Sequence, residues 1–210
     1  MRVALTQRAV TDAATGEERD CLDQRWAALL ERWDMLALPL PSALAGPERH
    51  LDALGLDAVL LTGGNDLAAL PGATTASPPR DVFEQRVVAW CRERSVPVVG
   101  ICRGMQLLAH LAGARLVEVD GHVGVRHPLR VQVNGDAGHA EVVNSFHRFA
   151  VPAADLPPRL EAFAWDDGGH VEAFRDRAHR EAGVMWHPER ESEPSRWGAA
   201  VLRELLEVAA

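Results

Sequence analysis

The sequence predicts an α/β protein: a mainly parallel β-sheet with helices on both faces and a small antiparallel addition. Three observations carry that reading. Strand-like and helix-like patterns alternate along most of the chain, as βα units do. Two strand-like runs, Leu56–Thr62 and Val96–Ile101, are apolar almost throughout, which suits strands buried on both faces. The stretch Gly113–His139 is different, rich in Gly and His with short alternation, and within it Arg130–Val133 suits an antiparallel strand or hairpin.

Taken in order, Arg2–Thr6 reads as a first strand. Glu18–Asp34 carries Leu22, Trp26, Leu29, Leu30 and Trp33 at helical spacing, which predicts one helix over that range. Met35–Leu40 is a strand ended by Pro39 and Pro41. Leu56–Thr62 runs into the turn Gly63-Gly64-Asn65-Asp66, and Pro71–Pro79 is a loop. Asp81–Arg94 is helical, with Val82, Phe83, Val87, Val88 and Trp90 apolar. The Val96–Ile101 strand leads into Cys102 and a helix over Gly104–Leu111. Further strands are expected at Leu160–Ala164, Val171–Phe174 and Gly183–Trp186, and Glu193–Val208 closes the chain as a helix.

Composition narrows the function classes. With 210 residues, 47% of them apolar, the chain can bury a full core, and a single domain over residues 1–210 is expected. No apolar run approaches the roughly 20 residues of a membrane span, so no membrane partner is expected. Polar residues at Thr6, Gln7 and Arg8 leave no early apolar stretch of roughly 7–15 residues for a signal peptide, so the cytoplasm is the expected location. The formal charge of −8 disfavours a nucleic-acid partner. All 22 basic residues are arginine, which removes lysine Schiff-base and P-loop chemistry. Cys21, Cys91 and Cys102 form neither a disulfide framework nor a CxxC pair. The oligomeric state is not set by the sequence, and a homodimer stays open.

The most informative segment is Val96-Pro-Val-Val-Gly-Ile-Cys102-Arg-Gly-Met-Gln106. A buried strand runs directly into a cysteine and then a helix, with Gly100 and Gly104 on either side, the pattern of a nucleophile elbow with Cys in place of Ser. At a helix N-terminus the dipole favours a thiolate. The Arg103 N–H points to the same place and can stabilise an oxyanion. A buried cysteine can equally be a small core residue; that reading is preferred for Cys21 and Cys91, which sit inside helical patterns, but not for Cys102. A thiol nucleophile needs a base. Met185-Trp-His187-Pro-Glu189 ends an apolar strand, and in extended chain His187 and Glu189 point the same way, so that Glu189 could fix the imidazole tautomer. His50, His110, His122, His127, His139, His170 and His179 have no metal-ligand spacing, and no metal is expected.

Four segments together, Leu61-Thr-Gly-Gly-Asn-Asp66, Gly100-Ile-Cys-Arg-Gly-Met-Gln106, Val143-Asn-Ser-Phe-His147 and Trp186-His-Pro-Glu189, resemble the class I glutamine amidotransferase-like proteins. The branch they resemble is the γ-glutamyl hydrolase type, peptidase family C26, which includes γ-glutamyl-γ-aminobutyrate hydrolase. The match spans nearly the whole chain in the right order and implies a flavodoxin-like sheet. Arg103 and Arg80-Asp81-x-x-Glu84 resemble the hydrolases more than ammonia-donating glutaminases. Leu5-Thr-Gln-Arg8, Glu18–Trp26, Thr62–Leu67 and Met185–Glu191 resemble, more narrowly, hydrolases of bacterial capsule phosphoramidate pathways. Those enzymes split a cytidine-diphosphate-linked glutamine into glutamate and a nucleotide phosphoramidate.

The resemblance implies roles: Cys102 as nucleophile, His187 as base and then acid, Glu189 as orienter, and the Gly64 and Arg103 N–H groups as oxyanion hole. It also implies that Gly63, Asn65, Gln106 and the Asn144, Ser145, Phe146, His147 segment contact the glutamyl group, with no organic cofactor. Phe146 and Phe149 could instead simply pack in the core. Arg8, Arg19, Arg25 and Arg80 are candidates for an anionic leaving group, although each alone is better read as solvated. The substrate that the resemblance implies is a small γ-glutamyl compound; an amine, a polyamine-derived amine, a folate glutamate tail and a phosphoramidate nucleotide stay open as leaving groups. Competing readings are a glutaminase subunit serving a separate synthetase, a catalytically dead binding protein, and a repair or chaperone member of the wider superfamily.

Overall fold

The computed structural model describes residues 1–132, 139–191 and 196–209. Residues 133–138 and 193–195, which belong to the expected Gly113–His139 and Glu193–Val208 segments, lie outside the described residues. The strands are β1 (Arg2–Leu5), β2 (Arg8–Thr11), β3 (Glu18–Cys21), β4 (Leu36–Pro39), β5 (Ala58–Leu61), β6 (Val98–Ile101), β7 (Val117–Glu118), β8 (Val123–Val131), β9 (His139–Phe146), β10 (Phe149–Pro152), β11 (Glu161–Trp165), β12 (His170–Asp176) and β13 (Glu181–Val184). The helices are α1 (Arg25–Glu31), α2 (Pro47–Leu54), α3 (Pro78–Arg94), α4 (Arg103–Ala112) and α5 (Arg196–Ala209).

One sheet runs in the order β4-β1-β5-β6-β13-β12-β11-β8-β9. The five strands from β4 to β13 are mutually parallel, and pairing turns antiparallel from β12 outward. The short β10 bridges β12 and β7. The parallel half follows the 2-1-3-4-5 order of the flavodoxin-like fold, in which ligands bind beyond the carboxyl ends of the strands.

Strand periodicity explains why both faces are covered. On β5, Val59 and Leu61 join one core with Leu51 of α2, Phe83, Val87 and Trp90 of α3, and Leu107 and Leu108 of α4. Ala58 and Leu60 join the opposite core with Trp26, Leu29 and Leu30 of α1 and Leu202 and Leu206 of α5. Strands β5 and β6 are buried at every position, as their continuous apolar runs predict. Among the described residues no helix is long and apolar enough to cross a membrane.

Two expectations need correction. Glu18–Asp34 is not one helix: Glu18–Cys21 pairs with Arg8–Thr11 as a hairpin, and the helix is confined to Arg25–Glu31. Local turn chemistry overrides the apolar spacing. Asp12 Oδ1 accepts the Ala14 and Thr15 N–H groups, and Gly16 takes a left-handed φ of 72°. Cys21 is consequently exposed on a strand rather than buried in a helix. The helix Pro47–Leu54 has no counterpart in the expected elements, although Pro47 at its first turn and the left-handed Gly55 at its end are start and stop signals.

Candidate active site

The strand β6 runs into Cys102, whose backbone adopts φ 51° and ψ −105° before α4 begins at Arg103. This is a sharp strand-to-helix turn in a region non-glycine residues rarely occupy. The flanking glycines are required by close backbone approach. A Cβ on Gly100 would collide with the Gly104 backbone, and one on Gly104 with the Leu61 carbonyl of β5. The turn also leaves the Arg103 N–H at the first helical position, where no intrahelical acceptor exists.

Beyond the end of β13, His187 and Glu189 stand beside this turn. His187 Nδ1 lies 2.7 Å from Glu189 Oε1, and both residues are buried. A carboxylate only accepts, so Nδ1 carries the hydrogen and Nε2 is free to face the thiol. The Asn144 side chain holds the His187 backbone from both sides. Its Oδ1 accepts the His187 N–H at 3.0 Å and its Nδ2 donates to the His187 carbonyl at 2.8 Å. Burial opposes the imidazolium, but the adjacent Cys102 thiolate, through its charge and a hydrogen bond, and then Glu189, outweigh it and hold His187 up at about 9. By contrast, burial pushes the Cys91 thiol up, away from any reactive state.

A cavity of about 400 Å³ has Cys102, His187, Gln106, Phe146, His147 and Phe149 in its lining, together with Gly64, Asn65 and Arg103. A second, of about 270 Å³, is lined by Gly63, Leu22, Trp26, Thr62 and Glu189. Both share Arg8, Gly64, His187 and Arg190. A Cβ on Gly63 would stand 2.7 Å from His187 Cε1, closer than real Cβ contacts come, so the glycine leaves the imidazole its place beside Cys102. Gln106 is held by donation to the Phe149 carbonyl at 2.9 Å. Phe146 is 41% exposed and meets the His187 ring edge-on at 5.8 Å, so it walls the cavity rather than packing in the core as Phe149 does.

The side chains of Asn144 and Ser145 face the protein. Asn144 grips His187, and Ser145 Oγ donates to the His122 carbonyl at 2.7 Å. The Asn65 amide ties Ala9 and Thr75 to the turn.

Of the four arginines considered for a leaving group, the structure brings only Arg8 to these cavities. Arg80 is buried and spent on the Thr62, Gly63 and Gly64 carbonyls and on Glu84. Burial pulls its guanidinium down to about 10 against the attraction of Glu84. Arg19 pairs with Asp12 and Glu17, and Arg25 with Asp23, on the exposed surface. The Arg103 side chain is likewise internal, paired with Asp81 and Glu84. Arg190, on the turn Pro188–Arg190, lies with its guanidinium 4.5 Å over the Phe146 ring, a placement that sequence reasoning misses. Its position directly after His-Pro-Glu is the available signal. The histidines are also less scattered than their spacing suggests, because the fold gathers His122, His127 and His147 around Glu172.

The model for peptidase C26 matches residues 3–189, nearly the whole chain. The chain belongs to the peptidase C26 family. A γ-glutamyl-CDP-amidate hydrolase of Campylobacter jejuni is 31% identical over 194 residues, covering 91% of this chain and 92% of that protein. Membership of peptidase C26 and this relative both place the chain among hydrolases. The fold is that of class I glutamine amidotransferases. A glutamine amidotransferase from Thermotoga maritima superposes over 99% of this chain and 89% of its own, with a TM-score of 0.64 at 16% identity. A candidate GMP synthase component from Thermoplasma acidophilum superposes over 100% of this chain and 94% of its own, with a TM-score of 0.73 at 17% identity.

Proposed function

We propose that this C26 protein is a cysteine-dependent amidohydrolase that releases L-glutamate from a γ-glutamyl amide whose leaving group is a nucleotide phosphoramidate. The observation that carries the reading is the convergence of Cys102 at its strained turn with a His187 imidazole anchored on Glu189, in one cavity.

In the proposed sequence the Cys102 sulfur attacks the γ-carbonyl carbon, forming the S–C bond. The oxyanion is received by the Gly64 and Arg103 N–H groups. The imidazolium of His187 gives its proton to the leaving nitrogen as the C–N bond breaks, and a γ-glutamyl thioester remains. Neutral His187 then takes a proton from water, whose oxygen attacks the thioester and releases glutamate and the Cys102 sulfur. The Glu189 carboxylate keeps the imidazole oriented throughout.

The two joined cavities fit the two halves of such a substrate. The larger, with Gln106 and the Phe146–His147 segment, takes the glutamyl group. The smaller, with Arg8, Arg190 and Trp26 in its lining, takes an anionic leaving group. The C. jejuni relative, named for a γ-glutamyl-CDP-amidate, supports this leaving group over a simple amine.

The test is glutamate release from CDP-linked glutamine, γ-glutamyl-γ-aminobutyrate and glutamine, measured on wild type and Arg8→Ala. The reading predicts fast release from the CDP-linked compound, near-inertness of glutamine, and a roughly tenfold rise in KM for the CDP-linked compound alone in Arg8→Ala. Glutamine as the preferred substrate would overturn it in favour of an ammonia-donating glutaminase.

A further inference from the structure

The antiparallel half of the sheet holds a second group of ionisable side chains, which the proposed reaction does not use. Glu172 on β12 is 1% exposed. Its carboxylate faces two imidazoles: His147 Nε2 is 3.3 Å from Oε1, and His127 Nε2 is 3.9 Å from Oε2. None of these four buried atoms makes a hydrogen bond among the described residues.

The backbone aims both rings. His147 Nδ1 lies 3.1 Å from the Phe149 carbonyl oxygen, and His127 Nδ1 lies 3.2 Å from that of Pro128. A carbonyl oxygen only accepts, so each Nδ1 carries a hydrogen, and a neutral imidazole then presents Nε2 as a lone pair. Two lone pairs and a carboxylate, all acceptors, therefore converge in a buried space. Left uncompensated, that arrangement is costly. A shared cation resolves it.

We propose that His127, His147 and Glu172 bind one divalent first-row transition ion, zinc by preference. Two imidazole nitrogens and a carboxylate oxygen are a donor set that zinc takes. Ring nitrogens that donate to carbonyls on the far side are the usual outer support of such ligands. The 3.3 Å between His147 Nε2 and Glu172 Oε1 matches the edge of a tetrahedron with metal–ligand bonds of about 2.0–2.1 Å. The candidate ligand atoms of these three residues and His122 all lie within 4.8 Å of one another. His122 borders the site, because its ring nitrogens already meet the Asp120 carbonyl at 2.9 Å and the Asp166 carboxylate at 3.0 Å.

The ligands come from β8, from the turn after β9 and from β12, so the ion clips together segments far apart in sequence. One of them, the turn at His147, lines the larger cavity beside Cys102.

Metal content measured on the full-length untagged protein, by mass spectrometry after chelation and zinc reconstitution, tests the proposal. Because the Cys102–His187 pair can also take zinc, each variant is made in the Cys102→Ala background. We expect about one zinc per chain in Cys102→Ala, falling to less than about a tenth of that when Glu172→Gln or His127→Ala is added. Zinc should also raise the melting temperature by several degrees in Cys102→Ala and leave it unmoved in the double variants. His127 is partly exposed, so His127→Ala keeps the test intact if Glu172→Gln does not fold. Zinc content unchanged by either substitution, or no stoichiometric first-row metal at saturating zinc, overturns the proposal.

Discussion

Cys102 and His187 have to be considered as a pair. The imidazole is buried, which alone would favour its neutral form, yet the thiolate and Glu189 hold its proton to about pH 9. Because the proposed reaction needs His187 to deliver a proton to the leaving nitrogen, the sign is fixed. kcat/KM should stay high as pH rises past 6.5 and fall only through about 9. A pH–rate profile whose basic limb falls near 6.5 instead would contradict the ion pair. An NMR titration adds a check on cause: in Cys102→Ala the His187 midpoint should drop below its wild-type value, since burial then meets only Glu189. This part of the site is legible in the sequence because it is local. Gly-x-Cys-x-Gly and His-Pro-Glu each place their side chains through two or three residues of backbone. The grip of Asn144 on His187 is not legible, since 43 residues separate them and only the folded sheet brings them together.

Among the elements, the β6–α4 turn carries the strongest constraint. Helix α4 lies against the end of β5 so closely that Gly104 has no room for a Cβ beside the Leu61 carbonyl. The obstacle is backbone, which cannot rotate aside. Gly104→Ala should therefore destabilise the protein by about 3 kcal/mol, read from a denaturant midpoint at unchanged slope. A loss under about 1 kcal/mol would show that the helix can shift. The glycine pattern announces this turn correctly. The β2–β3 hairpin escapes the sequence pattern because Leu22, Trp26 and Leu29 do have helical spacing, while the Asp12–Gly16 turn that decides the matter is a local hydrogen-bond arrangement outside that pattern.

At the scale of the whole molecule, the parallel strands deliver the site to their carboxyl ends, and a buried ionic network fastens it there. Glu84 on α3 is enclosed by Arg80 and Arg103. Arg80 reaches the carbonyls of Thr62, Gly63 and Gly64, and Arg103 opens α4 directly after Cys102. The network therefore connects both sides of the proposed oxyanion site. In sequence Arg80 reads as a solvated arginine or a leaving-group candidate, and its burial overturns both, because sequence shows a charge without showing where it is buried. Removing one partner of a buried ion pair leaves the others uncompensated. Glu84→Gln should cost about 3–5 kcal/mol of stability, measured by denaturant unfolding, and a loss below about 1 kcal/mol would mean that the cluster is not a fastening.

The proposed chemistry passes through Cys102. The direct measurement is the rate of glutamate release from CDP-linked glutamine by Cys102→Ala against wild type, with matched circular dichroism spectra establishing an intact fold. A loss of at least about 10⁴-fold is expected, since a nucleophile's deletion removes the covalent route outright. A folded Cys102→Ala protein that releases glutamate at the wild-type rate would contradict it.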